Sequence, residues 1–398
     1  MTATFTPFIR RVNFLRITGT LTLLSIFSML SIKSNAQTLP LPDHIVILIE
    51  ENQPSHDIFG LQVIGNAAAP YITALVTDTD AANFTAMSAI SHPSQPNYLD
   101  FFAGANQGVT DDALPTGYPW VTDNLAAELR DKGLTFVTYS QDLPSVGSDI
   151  ESSGSYVRKH NPVTNWIGTG TNQVPATVNQ PFTAFPTDFT QLPTVCYVVP
   201  NEDSDMHNGS GAAAIGPGDY WMKEHMDSFI HWARNHNTLL IYTFDEDDGF
   251  DNNVVPTVFF GPMVKGGPCT GTFTLYSILR TIEDIYGLRN VGGAANTVPI
   301  TTCWKSLASG INNVDAGGTL KVYPNPASSV INFDGTKLGN ANAEISITDI
   351  TGRLIGHYPL PESKRLEVNT SAYPAGLYFY RFMQDNTQLQ AGKFTVTR

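Results

Sequence analysis

The chain has 398 residues, of which 42% are hydrophobic and 15% are charged, and its formal net charge is −14 at pH 7. This length suggests two or three folding units with enough chain for a sizeable core, and the composition excludes a disordered or collagen-like protein. The acidic balance excludes a protein whose main role is to coat nucleic acid or an anionic membrane, because those partners need a basic surface.

The first 36 residues predict an export signal. Arginines precede an apolar run at residues 17–32, and Ser34 and Ala36 supply the small residues that a signal peptidase accepts. A retained membrane anchor is the alternative, but the apolar run is short and is interrupted by Thr and Ser. No other stretch of the sequence is long and apolar enough to cross a membrane, so we expect an exported chain without stable membrane insertion.

Short apolar runs then alternate with stretches of helical periodicity. The predicted strands extend over 45–49, 84–90, 135–139, 195–199, 239–244 and 257–260, and the predicted helices over 124–132, 220–236 and 275–286. Continuous apolar runs of this kind are typical of strands that are buried on both faces. This order predicts an α/β domain with a mostly parallel sheet.

The pattern changes near Gly317 and Gly318. The segments that follow are short, alternate in hydrophobicity and are separated by turn residues; they extend over 320–323, 330–333, 345–350, 354–358, 366–368, 377–382 and 393–396. Their spacing predicts a small β-sandwich. We therefore expect a signal peptide at 1–36, an α/β domain at 37–314 and an all-β sandwich domain at 315–398.

Three cysteines occur in the predicted mature chain. Cys196 lies in a predicted buried strand, where a free cysteine behaves as a small hydrophobic residue. Cys269 and Cys303 lie in segments rich in Gly, Thr and Pro, and in an exported protein they could form a disulfide, although their spacing does not establish the bond.

Acidic and amide residues follow three of the predicted strands. They occupy positions 50–52, 201–207 and 245–248. Because ligands of open α/β sheets bind beyond the carboxyl ends of the strands, we expect these clusters to meet at one edge, where they would repel one another without a cation. Their oxygen atoms suit a hard or borderline divalent metal. The alternative is that the clusters are ordinary solvated loops.

A further polar segment follows the strand that ends near Ile90. Pro96 fits the first turn of a helix that stops at Gly104, which places Ser94 at or just before the helix N-terminus. Backbone amides and the helix dipole favour an anion there. A serine at this position is most often only an N-cap, so a catalytic role depends on the acidic clusters lying at the same sheet edge.

Four motifs follow one another between residues 43 and 310. They are Glu51-Asn52-x-x-Ser55-x-Asp57-x-Phe59-Gly60, His92-Pro93-Ser94-x-Pro96-Asn97-Tyr98, Ser204-Asp205-Met206-His207 and Phe244-Asp245-Glu246-Asp247-Asp248. Together they resemble the phosphoesterase family of acid phosphatases and bacterial phospholipases C, within the alkaline phosphatase superfamily. The resemblance implies an alkaline-phosphatase-like three-layer α/β sandwich.

The resemblance also implies a divalent metal ion. Its ligands would be Glu51, Asn52, Asp245 and Glu246, together with the nucleophile Ser94. A coordinated cation lowers the pKa of a serine hydroxyl and neutralises the phosphoryl oxygens, so a phosphoserine intermediate would form and be hydrolysed by water.

Other motif residues are assigned to the substrate. We expect His92, Asn97 and Asp205 to bind the phosphate ester, and His207 to protonate the leaving group. The alternative for His207 is that it only orders its loop. Asn252-Asn253 stands where some relatives have a histidine before Val-Pro, which argues against a second fully ligated metal ion.

Three motifs of the last 80 residues belong to a different resemblance. Val322-Tyr323-Pro324-Asn325-Pro326-Ala327, Ile350-Thr351-Gly352-Arg353-Leu354 and Tyr373-Pro374-Ala375-Gly376-Leu377-Tyr378 resemble the C-terminal sorting domain of the type IX secretion system. This resemblance implies the type IX machinery as a partner and a secreted or cell-surface location.

The sequence therefore predicts a secreted, metal-dependent phosphomonoesterase of the acid phosphatase type. One alternative is a phospholipase C that cleaves phosphodiesters, although the domain has little chain left for a lipid or choline site. Another is a non-catalytic extracellular binding protein on the same fold, against which the intact Ser94 and predicted metal ligands argue.

Overall fold

The computed structural model describes residues 39–55, 63–250, 252–305, 320–335, 343–351, 353–384 and 387–398. The predicted signal at 1–36, residues 57–60 of the first motif and the predicted boundary at Gly317-Gly318 lie outside these ranges. Among the described helices, none has the length and hydropathy to span a bilayer.

An eight-stranded sheet forms the centre of residues 39–305. In chain order, the strands of this region are β1 (His44–Glu50), β2 (Ala81–Phe84), β3 (Met87–Ser88), β4 (Phe136–Ser140), β5 (Ser152–Ser153), β6 (Tyr156–Val157), β7 (Asn179–Pro181), β8 (Val195–Val199), β9 (Thr238–Phe244), β10 (Thr257–Phe260), β11 (Gly267–Cys269) and β12 (Phe273–Thr274). The spatial order of the large sheet is β11-β2-β10-β9-β1-β8-β4-β7. Only β10 runs antiparallel to its neighbours, which confirms the predicted mostly parallel sheet.

The helices of this region connect the strands. They are α1 (Pro70–Val76), α2 (Ser94–Ala103), α3 (Leu125–Asp131), α4 (Ala212–Ala233) and α5 (Leu275–Tyr286), with 3₁₀ turns at Arg158–His160, Pro162–Trp166, Ala176–Val178, Phe182–Ala184, Phe189–Gln191 and Gly292–Asn296. α3 begins where the Asn124 side chain accepts the amide hydrogen of Ala127. α2 ends at Gly104, whose φ of 66° and close contact with Val291 leave no room for a side chain.

Helices cover both faces of the sheet. Tyr197 of β8 packs on Phe101 of α2, with ring centroids 5.6 Å apart. Tyr139 of β4, which is in register with the next residue of β8, packs on Phe185, and Phe185 in turn contacts Phe229 of α4. Because successive side chains of a strand point to opposite faces, α2 and α4 lie on opposite sides of the sheet. The predicted three-layer arrangement is thereby confirmed.

Two predicted elements differ from the structure. The predicted strand at 84–90 is divided, because Phe84 ends β2, which pairs with β10 and β11, whereas Met87 and Ser88 form β3, which pairs with β12. The predicted helix at 220–236 begins earlier, at Ala212. Its first turns are held in place although they include Pro217, because the Asp219 carboxylate accepts the amide hydrogens of the first turn of α1.

The expected disulfide is absent. Cys196, Cys269 and Cys303 are all buried free thiols. Cys269 instead lies 3.3 Å from the hydroxyl of Thr302, and a hydrogen bond from the Cys303 thiol lowers the pKa of Cys269 to about 7. The two thiols are therefore hydrogen-bonded neighbours in the core, and the disulfide that the sequence left open is not formed.

Residues 320–398 form two antiparallel sheets. Their strands are β13 (Lys321–Tyr323), β14 (Val330–Asp334), β15 (Ala343–Asp349), β16 (Leu354–Pro359), β17 (Arg365–Asn369), β18 (Gly376–Gln384) and β19 (Thr387–Val396). The sheets have the orders β13-β14-β17 and β16-β15-β18-β19. Phe333 of one sheet packs edge-on against Tyr380 of the other, with ring centroids 5.2 Å apart, in a hydrophobic core of their own. The predicted β-sandwich is confirmed.

Candidate active site

The candidate site lies where β1 and β9 end beside the N-terminus of α2. Glu50 is in register with Phe244, so the next residues, Glu51 and Asp245, leave the middle of the sheet side by side. The amide of Asp245 bonds the carbonyl of Glu50 at 3.0 Å and fixes this arrangement. The sheet edge at which the sequence placed the acidic clusters is therefore the edge at which they are found.

Ser94 is the first residue of α2 and faces these carboxylates. The N-cap of α2 is Pro93, so Ser94 is not the simple N-cap that was the alternative. The buried Oγ atom lies 3.0 Å from Oε2 of Glu51 and 3.2 Å from Oε1 of Glu246. Its single proton can bond only one of these oxygens at a time.

Asn52 completes the group of residues that the sequence assigned to a metal ion. Its Nδ2 atom donates to Oε1 of Glu246 at 3.1 Å, and its backbone amide lies 3.3 Å from Oδ1 of Asp245. Asn52 adopts a left-handed backbone conformation with a φ of 51°, which asparagine tolerates better than most residues. The structure thus brings Glu51, Asn52, Ser94, Asp245 and Glu246 together.

The carboxylates of the site are buried close to one another. Burial, and then the nearby Asp205 carboxylate, raise the pKa of Glu51 well above its usual range. Burial, and then Glu51 and Glu246, do the same to the pKa of Asp245. A bound divalent cation would reverse these shifts, because it favours the charged form of each carboxylate.

Unpartnered polar atoms test whether the site fits a metal ion. Within the described ranges, Oδ1 of Asn52, Oδ2 of Asp245 and Oδ2 of Asp205 are buried and accept no hydrogen bond. Such orphaned atoms are costly unless a ligand satisfies them. Oxygen donors of this kind suit a hard or borderline divalent ion, so the residues fit the implied metal.

His160 is a site residue that the sequence did not reveal. It is 1% exposed, and its Nε2 and Nδ1 atoms lie 3.2 Å from Glu51 and 3.6 Å from Asp205, respectively, without forming a hydrogen bond. One ligand atom from each of these three residues lies within 4.8 Å of the others, an arrangement that could hold a second cation. Burial, then Lys159, lowers the pKa of His160 well below its usual range, so the ring is neutral and its nitrogen can act as a ligand.

Tyr98 positions both Glu51 and His160. Its hydroxyl donates to Oε1 of Glu51 at 2.6 Å, and its ring stacks on the His160 ring with centroids 5.1 Å apart. The one sign of His160 in the sequence is the basic run Arg158-Lys159-His160 within an otherwise acidic region.

His92 and Asn97 were predicted to bind substrate. They lie near Ser94, in the loop before α2 and in the first turn of that helix. The two ring nitrogens of His92 lie 2.7 Å from Glu246 and 3.1 Å from Asp247. The Asn97 side chain bonds the backbone of Ser91 as donor and acceptor and also accepts the amide hydrogen of Ile90, so it fixes the loop before α2. Their contact with substrate stays a prediction.

Asp205 and His207 follow β8 and lie on either side of the strained residue Met206. Met206 has a φ of 73°, and its carbonyl accepts a hydrogen bond from Gln53 at 3.1 Å. Oδ1 of Asp205 accepts the backbone amide hydrogen of His207 at 2.9 Å. The half-buried His207 ring lies beside Asn208, at 3.3 Å, so the Asp205 carboxylate holds the His207 backbone and not its imidazole.

The chain is similar to known proteins. The Phosphoesterase family matches residues 66–289, and the Secretion system C-terminal sorting domain matches residues 321–397. A Phosphatidylinositol-3-phosphatase of Mycobacterium tuberculosis is 42% identical over 274 residues, covering 68% of this chain and 85% of that protein. An Acid phosphatase of Aspergillus fumigatus is 27% identical over 263 residues, covering 61% of this chain and 57% of that protein. The solved structure of a protein in the alkaline phosphatase superfamily from Vibrio parahaemolyticus has 12% sequence identity and a TM-score of 0.47, and the match covers 83% of this chain and 80% of that one.

Proposed function

The chain belongs to the Phosphoesterase family, and from this premise we propose that it is a phosphomonoesterase whose nucleophile is Ser94. Similarity to phosphatases makes it a phosphoric ester hydrolase. The observation that supports the finer assignment is the Ser94 hydroxyl, which lies within 3.2 Å of two carboxylates at the start of a ten-residue helix.

The position of Ser94 suits attack on a phosphate ester. The dipole at the start of α2 favours the negative charge of the phosphoryl group. The hydroxyl proton of Ser94 passes to Glu51 or Glu246 as Oγ bonds to phosphorus and the bond from phosphorus to the alcohol oxygen breaks. Water then hydrolyses the phosphoserine, so phosphate leaves and the serine is restored.

The residues that would hold a divalent ion are Glu51, Asn52, Asp245 and Glu246, together with Ser94. When bound there, the ion would neutralise the phosphoryl oxygens and lower the pKa of the serine hydroxyl. The unpartnered oxygens of Asn52 and Asp245 support this assignment. Glu51, His160 and Asp205 are the residues that would hold a second ion.

His207 is the proposed proton donor to the departing alcohol. The leaving alkoxide of an alkyl phosphate needs a proton, and the His207 ring is half-buried at the rim, where it can reach both solvent and substrate. Its backbone is held by Asp205, which fixes the position of the loop.

The last part of the chain bears on location. The match to the Secretion system C-terminal sorting domain indicates export to the cell surface or the medium. We propose that the type IX machinery carries out this export and that residues 1–36 are removed as a signal peptide. Replacing residues 315–398 with a neutral tag should leave the chain inside the outer membrane, and fractionation of the cells would test this.

A release assay on the purified chain tests the catalytic proposal. It compares nitrophenyl phosphate, a monoester, with nitrophenyl phosphocholine, a diester of the same leaving group. We expect hydrolysis of the monoester, loss of activity with chelator and recovery with added divalent ion. Preferential hydrolysis of the diester would indicate a phospholipase C, and no hydrolysis of either would indicate a binding protein.

A further inference from the structure

A cavity of about 170 Å³ adjoins the candidate site and has no role in the proposed mechanism. Its wall includes Gln95 and Lys159, which are the chain neighbours of Ser94 and His160. The charges of Lys159 and Asp112 in this wall act on Glu51 and Glu246 of the site, so the cavity lies close to the proposed phosphate-binding position. Its volume is several times the roughly 30 Å³ that a water molecule occupies in the liquid.

Arg158 in the wall of this cavity is a buried cation that makes no hydrogen-bonded ion pair; Asp149 and Glu151 are the carboxylates that attract it at longer range. The residue is 2% exposed, and none of its three guanidinium nitrogens makes a hydrogen bond with the described residues. The guanidinium carbon lies 4.3 Å from the centre of the Tyr118 ring. An arginine cannot relieve its burial by losing a proton, so a buried unpaired guanidinium is unfavourable until an anion reaches it.

The other charges of the wall are already paired or exposed. Nζ of Lys159 lies 3.3 Å from Asp112 and 3.6 Å from Glu202. Asp112 also accepts the backbone amide hydrogen of Gln95 at 2.9 Å. Glu151 is exposed; its backbone carbonyl accepts the amide hydrogen of Arg158 at 2.9 Å, and its carboxylate attracts the guanidinium without bonding it. Among the wall residues, Arg158 is thus the buried charge whose side chain has no hydrogen-bond partner.

We propose that this cavity binds an anionic group, a phosphate or a carboxylate, on the alcohol part of the substrate, and that Arg158 recognises it. The inference builds on the proposed phosphomonoesterase function and names its substrate class: phosphate esters that carry a second anionic group. A guanidinium fork matches both kinds of anion with two parallel hydrogen bonds. Because its nitrogens are covered, rotation about the side-chain torsions of Arg158 brings them to the anion, while the backbone stays bonded to Glu151.

A matched pair of substrates tests the proposal. Glycerol 3-phosphate and 3-phosphoglycerate present the same primary phosphate, but the second has a carboxylate where the first has a hydroxymethyl group. We expect the wild-type chain to hydrolyse 3-phosphoglycerate with a kcat/KM about 10- to 100-fold higher, the range expected for a charge-assisted hydrogen bond to a buried group. Arg158→Gln should bring the ratio close to one through KM, and Arg158→Lys should retain part of it.

Controls separate this inference from the proposed function. Arg130→Gln removes an exposed arginine that pairs with Asp131 on α3, and the ratio should stay at its wild-type value. Equal kcat/KM values in the wild type, or an unchanged ratio in a folded Arg158→Gln variant, would overturn the role of Arg158 and leave the phosphatase intact. If Arg158→Gln does not fold, inhibition of the wild type by glycerate but not by glycerol supports the proposal, and equal inhibition overturns it.

Failure of the proposed function gives a different result. No turnover of either ester would contradict the phosphomonoesterase assignment itself. Calorimetric titration of both esters into the Ser94→Ala variant does not depend on turnover. Tighter binding of 3-phosphoglycerate by tenfold or more would support the anion subsite in that case too, and equal affinities would overturn it.

Discussion

The candidate site has two sides that share Glu51 and are built in different ways. The serine side consists of Ser94, Asn52, Asp245 and Glu246, which directly follow β1 and β9 or begin α2. The histidine side consists of His160 and Asp205, which lie in a 3₁₀ turn and in the loop after β8. Regular elements fix the first set at the sheet edge, whereas tertiary contacts with Tyr98 and Glu51 fix the second. The residues of the first set were recognisable in the sequence, whereas in the second set Asp205 was recognisable from its motif and His160 was not.

Ser94→Ala should have the largest effect, because it removes the nucleophile from the serine side. We expect kcat to fall by about three orders of magnitude or more, with fold and metal content unchanged. The measurements are turnover of nitrophenyl phosphate, circular dichroism and metal analysis. Ser277→Ala is the control, because this serine also lies in the first turn of a helix, α5, but away from the site. Near wild-type turnover in Ser94→Ala would remove the serine from the mechanism.

A pair of variants separates the contributions of the two sides to metal binding. Asp245→Ala should reduce both metal content and activity, because it removes an oxygen ligand from a buried anionic cluster. His160→Gln should lower kcat/KM by roughly tenfold or more but keep the ion of the serine side. Metal analysis of both purified variants checks this difference.

The metal analysis of His160→Gln needs a matched histidine control. His236→Gln is the matched control, since His236 stacks on Trp232 outside the site much as His160 stacks on Tyr98. Loss of all metal from His160→Gln would show that the two sides form a single metal site and would erase the distinction between them.

His207→Asn tests the rim of the histidine side. If His207 protonates the leaving group, this change should slow hydrolysis of glycerol phosphate by about two orders of magnitude and spare nitrophenyl phosphate, whose leaving group is already acidic. Parallel kinetics on the two esters make the measurement, and each ester serves as the control for the other. Equal losses would reassign His207 to phosphate binding, and no loss would leave it with the ordering of its loop.

Glu283 is a buried acid that belongs to neither side of the site. Its replacement should have the smallest effect of the changes considered, and that effect should be on the pH dependence of stability. Burial raises the pKa of Glu283 from 4.5 to about 7, while hydrogen bonds from Val291 and Asn290 lower it. A raised folded-state pKa means that this group's contribution to stability is complete below pH 4.5 and is lost as the pH rises through 7. The loss amounts to at most about 3 kcal/mol in the free energy of unfolding.

Urea denaturation at pH 5 and pH 8 checks this expectation. Glu283→Gln should reduce the difference in stability between the two pH values while leaving kcat unchanged. A pH dependence identical to that of the wild type would show that Glu283 does not titrate in this range. Glu283 thus provides a reference for the buried acids of the site, which a bound cation would keep ionised.

The sequence was sufficient to predict the features that depend on local sequence patterns. Glu51 and Asp245 follow continuous apolar strands, and Ser94 precedes a proline-containing helix start, so their common edge could be predicted. His160 could not, because its place depends on stacking with Tyr98 and no periodicity accompanies a 3₁₀ turn. The division of the predicted strand at 84–90 likewise depends on distant partners, since β2 pairs with β10 and β11 and β3 pairs with β12. Contacts between distant segments determine these features, and no local pattern encodes them.

The central position of β1 has a consequence for when the enzyme becomes active. Ile45 pairs with Val195 on one side and with Leu239 on the other, so the strand that bears Glu51 finds its neighbours only after most of the domain has been synthesised. Closing such long loops is slow, because their entropic cost comes before any contact compensates for it. A chain that is still being threaded through a membrane has no assembled site, and it cannot hydrolyse phosphate esters on the way. With this topology, activity requires that the whole domain has folded.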